Sequence, residues 1–317
     1  MWFLTNPERL QFLTYYVNRA SVVYNRDMVK SPVLSVCILS FNTKKLTLEC
    51  LQSIYAFDTV NLEVLVLDNN SLDESVATIR TQFPQVRLFS KKQNLGFSKG
   101  NNFLLRQAKG KYILFLNSDI KVLNNGIQNF LDCYQKNEKH VAFMGAKLLN
   151  ANMSSQPSCG LFYTLPVVFA ALFLKGDYWG ITRNSPNRFC ITDWVSGACL
   201  MTTRHRMGNL GGFDEEIFMY MEEIDLLYRA RKKQLLTAFC PRAHFIHYGS
   251  ASSNSRTIPI LNVFSGFIYF YTKHYSKTET RLLKGMLQLK ALVGYSIGRI
   301  TGNMYLQKTY GKARRII

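Results

Sequence analysis

The chain has 317 residues, a formal net charge of +19 and an apolar fraction of 47%, with charged residues at 19%. This composition is typical of a protein with a folded core and excludes an intrinsically disordered chain. The excess of basic residues indicates an anionic partner, which could be a nucleic acid, a nucleotide-type substrate or an anionic membrane surface. The seven cysteines are odd in number and contain no CxxC pair, which favours free thiols in a reducing compartment over a disulfide framework or a zinc site.

Residues 1–31 place apolar side chains at helical spacing, including Leu10, Val17 and Tyr24, and predict an N-terminal helical extension. This helix could pack on the main domain or contact a membrane. The N-terminus lacks a basic segment followed by an unbroken apolar core, so no cleavable signal peptide is expected. The longest apolar stretch, 161–174, is too short to span a bilayer.

From residue 32 the sequence alternates short apolar runs with helical patterns, which favours a mostly parallel sheet with helices on both faces. The first half predicts strand 33–40, helix 43–57, strand 62–67, helix 72–83, strand 86–89, a polar loop at 94–102, a helix leading to Gly110 and strand 112–119. The second half predicts helix 127–134, an apolar segment at 141–149, an irregular region at 150–190, a strand with a glycine break over 193–201, helix 217–233 and strand 235–240. Residues 258–275 and 280–300 predict C-terminal helices.

Polar side chains follow three of the predicted strands. Ser40 and Asn42 follow the first, Asp68 ends the second, and Asn117 and Asp119 end the strand that begins at residue 112. Because ligands bind beyond the carboxyl ends of parallel strands, these tips predict a pocket at one sheet edge. A lone carboxylate such as Asp119 suits a divalent cation shared with a diphosphate, although an aspartate there could also cap the next loop.

The polar loop at 94–102 contains two glycines, which permit close backbone approach to a ligand before a helix N-terminus that attracts phosphate. It matches neither a Walker loop nor the GxGxxG fingerprint. A second cluster contains Glu222 and Glu223, which could supply a general base or simply begin a solvated helix. His244 and His247 follow a predicted strand, where a histidine could bind the cation or be structural.

The order of these motifs resembles glycosyltransferase family 2, and within it the bacterial rhamnosyltransferase-like branch that builds O-antigen, capsule and cell-wall polysaccharides. The matching segments are 36–42, 66–71, 94–102, 116–119, 195–198, 212–215 and 220–226, followed by His247 and Ser250. The resemblance covers roughly residues 33–252. It implies an α/β fold of GT-A type, with a mostly parallel central sheet flanked by helices. The implied domain is 32–257, with a nucleotide-binding half at 32–120 and an acceptor-binding half at 121–257, followed by amphipathic basic helices at 258–317.

The resemblance also implies roles for individual residues. The nucleotide or donor would be contacted by Ser40, Asn42, Asp68, Asn70, Asn94, Gly96, Asn102 and Asn117, with Asp68 on the base. Asp119 and His247 would hold Mg2+ or Mn2+, and the acceptor side would include Trp194, Gly197, Ala198 and Asp225. The family's catalytic pair is usually Glu-Asp with the aspartate as base. Here the pair is Glu222-Glu223, so the base would be Glu223, which is one methylene longer.

The expected reaction is a single inverting displacement that moves rhamnose or another hexose from a nucleoside-diphosphate sugar, with dTDP or UDP favoured. The expected acceptor is a glycan, lipid-linked in this interpretation. Residues 273–317 contain ten Lys or Arg against one acid, which favours peripheral binding to the anionic inner face of the cell membrane from the cytoplasm. A soluble appendage that packs on the core or on a second subunit, and hence a homo-oligomer, is the alternative.

Two other classes of function stay open at this point. The Glu222-Glu223 departure would suit a catalytically weak or silent relative that acts as a scaffold in a polysaccharide-assembly complex. The net charge would suit a nucleic-acid binder, but no helix-turn-helix, zinc-finger or RNA-binding signature occurs, so no nucleic-acid partner is expected.

Overall fold

A computed structural model of the protein describes residues 31–57, 60–249 and 257–317. The predicted helix at 1–31 therefore lies outside the described residues, except for Ser31, and so does Ser250. The strands are β1 (Leu34–Ser40), β2 (Leu62–Asp68), β3 (Arg87–Ser90), β4 (Tyr112–Asn117), β5 (Ile120–Val122), β6 (Val141–Leu149), β7 (Ser155–Gln156), β8 (Cys159–Gly160), β9 (Arg183–Asn184), β10 (Cys190–Thr192), β11 (Trp194–Val195), β12 (Cys199–Thr203) and β13 (Leu236–His247). The helices are α1 (Lys44–Phe57), α2 (Ser75–Gln82), α3 (Gly96–Gln107), α4 (Gly126–Asn137), α5 (Leu165–Phe173), α6 (Arg204–Asn209), α7 (Glu222–Lys232), α8 (Thr257–His274), α9 (Lys277–Ile300) and α10 (Met304–Ile316).

The main sheet has the strand order β10-β13-β6-β12-β4-β1-β2-β3. Strand β1 pairs in parallel with both β2 and β4, and β2 pairs in parallel with β3. Strand β12 lies antiparallel between β4 and β6, and β13 returns parallel to β6. The predicted α/β fold with a mostly parallel sheet flanked by helices is thus confirmed.

Strands β1 and β4 form the centre of the sheet and are covered on both faces. Cys37 pairs with Phe115 and belongs to the core on one face, while Ile38 pairs with Leu116 and belongs to the core on the other. Successive residues of a strand point to opposite faces, so a strand buried on both faces needs an unbroken apolar run. Each such buried side chain contributes roughly 1.5–3 kcal/mol of hydrophobic stabilisation. The central strands therefore hold the polar residues at their carboxyl ends on a rigid support.

Three elements differ from the prediction. Helix α3 begins at Gly96, so most of the predicted polar loop is helical. Its first N–H groups have acceptors, because Gly96 donates to Oδ1 of Asn94 and Phe97 donates to the carbonyl of Phe218. Helix α7 begins at Glu222 and not at residue 217. Strand β13 continues through residue 247 and includes His244 and His247, with a register shift after Cys240. These histidines lie within the strand and not after it.

The C-terminal helices pack on the acceptor half of the sheet domain. The Tyr271 hydroxyl of α8 donates a hydrogen bond to the carbonyl of Tyr163 at 2.7 Å, and Lys290 Nζ of α9 donates to the carbonyl of Leu172 at 2.5 Å. A capping box formed by Ser276 and Glu279 starts α9. None of the helices in the described residues is both long enough and apolar enough to cross a membrane.

Helix α9 is apolar on two opposite faces. Its inward face is buried and consists of Leu283, Leu287, Ala291, Gly294 and Gly298. Its outward face exposes Leu282, Leu289, Leu292, Val293, Ile297 and Ile300. We call this second set the outer stripe of α9. A surface helix of a protein that works alone in water normally carries polar residues there.

Candidate active site

A cleft of about 630 Å³ lies at the carboxyl ends of β1 and β4. Of the predicted site residues, those that line it are Asn94, Gly96, Asn117, Asp119, Gly197, Ala198, Glu222, Glu223 and His247. They come from segments far apart in the sequence, and the sheet edge, the start of α3 and the start of α7 bring them together. The cleft is therefore the pocket that the strand tips predict.

Asp119 and His247 form the paired end of the cleft. Strand β13 pairs with β5 at this point, so His247 lies opposite Ile120, and its Nε2 is 3.4 Å from Oδ1 of Asp119. Nδ1 of His247 lies 2.7 Å from Oε1 of Gln156, an acceptor, so Nδ1 donates there; in a neutral imidazole, Nε2 then presents a lone pair towards Asp119. A carboxylate and an imidazole lone pair that converge in this way suit a divalent cation, with Gln156 orienting the ring.

The described part of the chain contains no cluster of three or more His, Cys, Asp or Glu that could hold a metal by itself. Asp119 and His247 would therefore supply two ligands, and a substrate diphosphate and water would supply the others. Magnesium sites that include substrate phosphates have this character. The pair fits a cation shared with a ligand and does not fit a permanent structural ion.

Glu222 and Glu223 also line the cleft, at the start of α7. Tyr220 and Met221, directly before them, both have positive φ angles, at 70° and 73°. Left-handed backbone at two such residues costs roughly 1–3 kcal/mol each, and strain of this kind concentrates at functional sites. The strained turn sets both glutamates against the cleft at the first turn of the helix.

Both carboxyl groups are perturbed by their surroundings. Burial and the adjacent charge of Glu223 raise the pKa of Glu222 well above its usual value. Burial also raises the pKa of Glu223, but the charge of Arg183 and the backbone N–H of Gly197 oppose that rise. One Oε2 atom on each glutamate is buried and has no hydrogen-bond partner among the described residues. The pKa of Glu222 is therefore raised further than that of Glu223.

Asn69 and Asn94 build the wall of the cleft at the start of α3. Nδ2 of Asn69 donates to Oδ1 of Asn94 at 2.7 Å, and the N–H of Gly96 donates to the same oxygen at 2.9 Å. The N–H of Leu95 donates to Oδ1 of Asn69 at 2.8 Å. Gly96 has φ +75°, and a Cβ there would lie 2.5 Å from the carbonyl oxygen of Phe218. This position therefore requires glycine.

The cleft is acidic although the protein is basic. Its described lining contains the carboxylates of Asp119, Asp177, Glu222 and Glu223, against the single guanidinium of Arg183. A nucleoside diphosphate would be repelled by such a surface unless a cation accompanied it. The charge balance agrees with the ligand geometry of the Asp119–His247 pair.

Comparison with known proteins supports the resemblance predicted from the sequence. Residues 35–158 match the model described as Glycosyl transferase family 2. This part of the chain is therefore similar to glycosyl transferase family 2. The matched segment ends at Ser158, just after Gln156, so it contains Asp119 but neither His247 nor the glutamate pair.

Two curated relatives are rhamnosyltransferases. The N-acetylglucosaminyl-diphospho-decaprenol L-rhamnosyltransferase of Mycobacterium tuberculosis is 26% identical over 212 residues, which cover 61% of this chain and 68% of the relative. Rhamnosyltransferase WbbL of Escherichia coli K12 is 27% identical over 169 residues, which cover 50% of this chain and 63% of the relative. The predicted resemblance to this branch of the family is confirmed.

Solved structures show the same fold at lower sequence identity. Staphylococcus aureus TarS aligns over 80% of this chain and 43% of its own, with a TM-score of 0.50 and 17% identity. GalNAc-T7, solved with UDP, GalNAc and Mn2+, aligns over 77% of this chain and 50% of its own, with a TM-score of 0.53 and 13% identity. This chain thus has the predicted GT-A type fold, and it spans half or less of the length of these two proteins.

Four predicted donor residues lie beside the cleft and do not line it. Ser40 is buried and its hydroxyl bonds those of Thr43 at 3.2 Å and Thr47 at 2.9 Å. Asn42 and Asn70 are exposed, and both have positive φ. The Asp68 side chain is buried: Oδ2 accepts from the N–H of Ser71, while Oδ1 has no partner within the described chain.

Three further predicted residues have structural roles in this chain. Asn102 is buried and exchanges hydrogen bonds with the backbone of Phe213 at 2.9 Å in both directions, so its amide is not directed at a donor. Trp194 is fully buried and its Nε1 donates to the carbonyl of Leu161. Asp225 is also fully buried and accepts from Arg229, Lys273 and His274. None of the three lines the cleft.

The sequence analysis missed Gln156, Arg183 and Asn69 as site residues. Asn69 lies between Asp68 and Asn70 at the end of β2, and only those two neighbours were predicted to contact the donor. Gln156 and Arg183 lie on two-residue strands, β7 and β9, in the region predicted to be irregular. Strands this short leave no periodic signal, so only the charge of Arg183 could have indicated its role.

Proposed function

We propose that this protein is an inverting glycosyltransferase that moves rhamnose or another hexose from a nucleoside-diphosphate sugar to a glycan acceptor in surface polysaccharide synthesis. The observation that carries the proposal is the composition of the cleft: it joins a cation-binding pair to a buried glutamate with an unpartnered oxygen. The names of the two rhamnosyltransferase relatives support the sugar.

Glu223 is the proposed general base. It takes the proton from the acceptor hydroxyl, whose oxygen attacks the anomeric carbon while the bond from that carbon to the diphosphate breaks. A carboxylate with a raised pKa is a stronger base and is better matched to neutral pH than an ordinary one. Glu222 is proposed to stay neutral, which spares the site a second negative charge. With these two roles, the Glu222-Glu223 pair could perform the function of the Glu-Asp pair that is usual in the family.

Asp119 and His247 are the proposed ligands of Mg2+ or Mn2+, with Gln156 holding the imidazole. Such a cation would neutralise the charge on the diphosphate leaving group. Asn94, Gly96 and Asn117 also line the cleft and would contact the donor. Gly197 and Ala198 line the glutamate side, where the acceptor would lie.

The base of the nucleotide is proposed to meet Asp68. Its Oδ1 is a buried acceptor without a partner inside the described chain, and an unsatisfied buried acceptor is costly unless a ligand donates to it. The N3–H of uracil or thymine is such a donor. This supports a UDP- or dTDP-linked sugar.

The acceptor is proposed to be lipid-linked, as the name of the Mycobacterium tuberculosis relative states for that protein. The outer stripe of α9 supports peripheral binding to the inner face of the cell membrane, because it exposes apolar side chains on a basic helix. No acid occurs from Thr280 to Ile317. A Leu289→Ser, Val293→Ser double variant should therefore lose binding to phosphatidylglycerol vesicles.

The test of the reaction is release of nucleoside diphosphate from a panel of dTDP-, UDP- and GDP-sugars, with and without Mg2+ or Mn2+, on a lipid-linked acceptor pool. We expect one donor to be turned over with metal, and Asp119→Ala and Glu223→Gln each to abolish turnover. Glu216→Gln, which changes an exposed acid near the cleft, is the matched control and should keep full activity.

Failure of every donor to turn over, with the nucleotide still bound, would overturn the enzymatic proposal. That result would support the scaffold alternative raised by the Glu222-Glu223 pair. Turnover that survives Glu223→Gln would instead move the base to another residue.

A further inference from the structure

Two aromatic side chains stand out on the surface of the acceptor half. Tyr178 is 78% exposed and Trp179 is 68% exposed. Their rings pack edge to face, with 5.1 Å between the ring centroids. Ile181, close by, is also exposed. Exposed apolar groups that cluster in this way mark an interaction site on a folded protein.

The loop that carries these rings is closed at its base. We call residues 175–182 the aromatic loop. The N–H of Ile181 donates to the carbonyl of Gly176 at 2.9 Å, the Thr182 hydroxyl donates to Asp177, and the N–H of Gly176 donates to the carbonyl of Ala170 at 2.9 Å. These bonds hold a tight turn whose tip is the Tyr178-Trp179 pair. The exposure of the two rings is therefore set by a defined structure.

Both ends of the aromatic loop reach the cleft. Asp177 near the start of the loop and Arg183, which directly follows the loop, both line the cleft, and Arg183 is the one guanidinium among the described lining residues. The guanidinium lies 5.2 Å from the ring of Trp194, which supports it from behind. Nε of Arg183 is buried and has no hydrogen-bond partner in the described residues. An unpartnered guanidinium N–H at the edge of an acidic cleft is suited to an oxyanion of a ligand.

We propose that the aromatic loop and Arg183 form one acceptor subsite, in which Arg183 binds the phosphate of a lipid-linked acceptor and Tyr178 and Trp179 hold its apolar chain at the bilayer surface. The inference rests on the proposed function, because it assumes an acceptor on a lipid phosphate. It assigns the phosphate of the acceptor to Arg183, and that of the donor to the Asp119–His247 pair on the other side of the cleft.

Charge decides between a bilayer and a second copy of the chain as the occupant of this surface. Lys175 lies beside the aromatic tip. Lys290 of α9 contacts the carbonyl of Leu172 at the end of α5, shortly before the aromatic loop, so α9 and this loop lie near each other. With a net charge of +19, two copies would repel each other at a basic face, whereas an anionic bilayer would attract it. Tyrosine and tryptophan are the residues that favour the bilayer interface.

The first experiment measures co-sedimentation with vesicles of phosphatidylcholine, of phosphatidylglycerol, and of phosphatidylglycerol that contains undecaprenyl diphosphate, all in EDTA so that no cation-bound diphosphate contributes. Wild type should bind the second vesicle better than the first, and the third better than the second. A Tyr178→Ser, Trp179→Ser variant should lose most of the binding to both anionic vesicles. Leu72→Ser, which changes a side chain that is 88% exposed elsewhere, should bind as wild type.

The second experiment tests the phosphate. Arg183→Gln should keep phosphatidylglycerol binding and lose the increment due to undecaprenyl diphosphate, whereas Arg183→Lys should restore part of it. Arg188→Gln, an exposed arginine nearby that does not line the cleft, is the matched control. Competition of the increment by inorganic pyrophosphate would show that Arg183 binds the phosphate, and an increment that Arg183→Gln leaves intact would overturn the proposal.

Donor turnover distinguishes failure of the subsite from failure of the proposed function. Suppose that wild type turns over a nucleotide sugar but the KM for the lipid acceptor is unchanged in Arg183→Gln and in the double aromatic variant. The proposed subsite is then wrong, and the proposed enzymatic function is retained. If wild type binds undecaprenyl diphosphate through Arg183 yet turns over no donor, the subsite stands and the enzymatic proposal fails. A protein that dimerises through Trp179 and ignores vesicles would overturn the bilayer as occupant.

Discussion

The two sides of the cleft differ in how their polar atoms are satisfied. On the donor side, Asn69 and Asn94 bond each other and the backbone at the start of α3, and each acts as a structural clamp. On the acceptor side, buried atoms of Glu222, Glu223 and Arg183 have no hydrogen-bond partner within the part of the chain that is described. The paired amides make the wall at the start of α3 rigid, whereas the glutamates and Arg183 keep unpaired atoms; on the donor side, Oδ1 of Asp68 beside the cleft is also unpaired among the described residues.

Because of this difference, we expect residues on one wall to contribute mainly to stability and residues on the other to contribute mainly to catalysis. An unpaired buried carboxylate destabilises the folded state, so its retention indicates a ligand or a reaction that uses it. The fully bonded amides on the other wall need no ligand to account for them. Substitutions on the two walls should therefore act on different measured quantities.

The largest expected effect comes from Glu223→Gln. Loss of the general base should lower kcat by roughly 10²–10⁴-fold. The free energy of unfolding should hold or rise, because the variant removes a buried charge. Turnover assays and urea unfolding on the same preparation test both expectations. A variant that loses activity only because it unfolds would contradict the contrast between the walls.

Asp225→Asn should act on stability instead. Burial alone would raise the pKa of Asp225, but bonds from His274 and Lys273 and the charge of Arg229 outweigh it and lower the pKa to about 2. Removing one partner from this buried cluster should cost about 3 kcal/mol at neutral pH. Because Asp225 does not line the cleft, turnover per folded molecule should be nearly unchanged.

The difference in unfolding free energy between wild type and Asp225→Asn should depend on pH in a defined direction. A carboxyl whose folded-state pKa is lowered stabilises the protein above its ordinary pKa, and that contribution is lost as pH falls towards 2. From 3.8 to about 2, the shift corresponds to about 2 kcal/mol. Wild type should thus lose its advantage over Asp225→Asn between pH 4 and pH 2, as measured by urea unfolding. A gap that stays constant over this range would rule out the carboxylate's charge as its source.

Gln156→Ala should weaken the cation site without touching a ligand. Loss of the group that orients an imidazole ligand typically lowers metal affinity about 10–100-fold. Calorimetric titration of Mn2+ in the presence of nucleoside diphosphate measures this directly. Gln156→Glu keeps an acceptor for Nδ1 of His247 and should retain most of the affinity. Equal loss in both variants would point to a packing defect and not to orientation of the histidine.

The smallest effect is expected on the donor wall. Asn94→Ala removes the acceptor for Asn69 and for the Gly96 N–H, and it should lower the free energy of unfolding by about 1–2 kcal/mol. Asn209→Ala, at an exposed asparagine, should stay within about 0.5 kcal/mol of wild type. Chemical denaturation compares the two. If Asn94→Ala were as stable as wild type, this wall would not be the rigid one.

The central sheet could be predicted because its sequence signals are local. Largely apolar runs identified β1, β2 and β4, since strands buried on both faces are rich in apolar residues. The extension of β13 through His247 could not be predicted, because its register shift lets charged and polar residues continue the strand. The start of α3 depends on Asn69, a residue that precedes it by a long interval and meets it only in the fold.

Lining residues could be predicted where they follow a buried strand, as Asp119 does, or belong to a motif of the resembled family, as the glutamate pair does. Asp119 and the glutamate pair were expected in the cleft and line it. Asn102 was expected at the donor, but its side chain bonds the backbone of Phe213, a contact across 111 residues that no sequence pattern shows. Gln156 and Arg183 depend on short strands that exist only because the main sheet pairs with them or packs against them.

The Asp225 cluster has a practical consequence for expression of the protein. Lys273 and His274, two of the three partners of this buried carboxylate, belong to α8, and Asp225 lies in the first turn of α7 beside the glutamate pair. A gene shortened after codon 257 would encode a catalytic helix whose aspartate keeps only Arg229. Recombinant fragments meant to be folded should therefore extend past α8, whatever surface the last two helices serve.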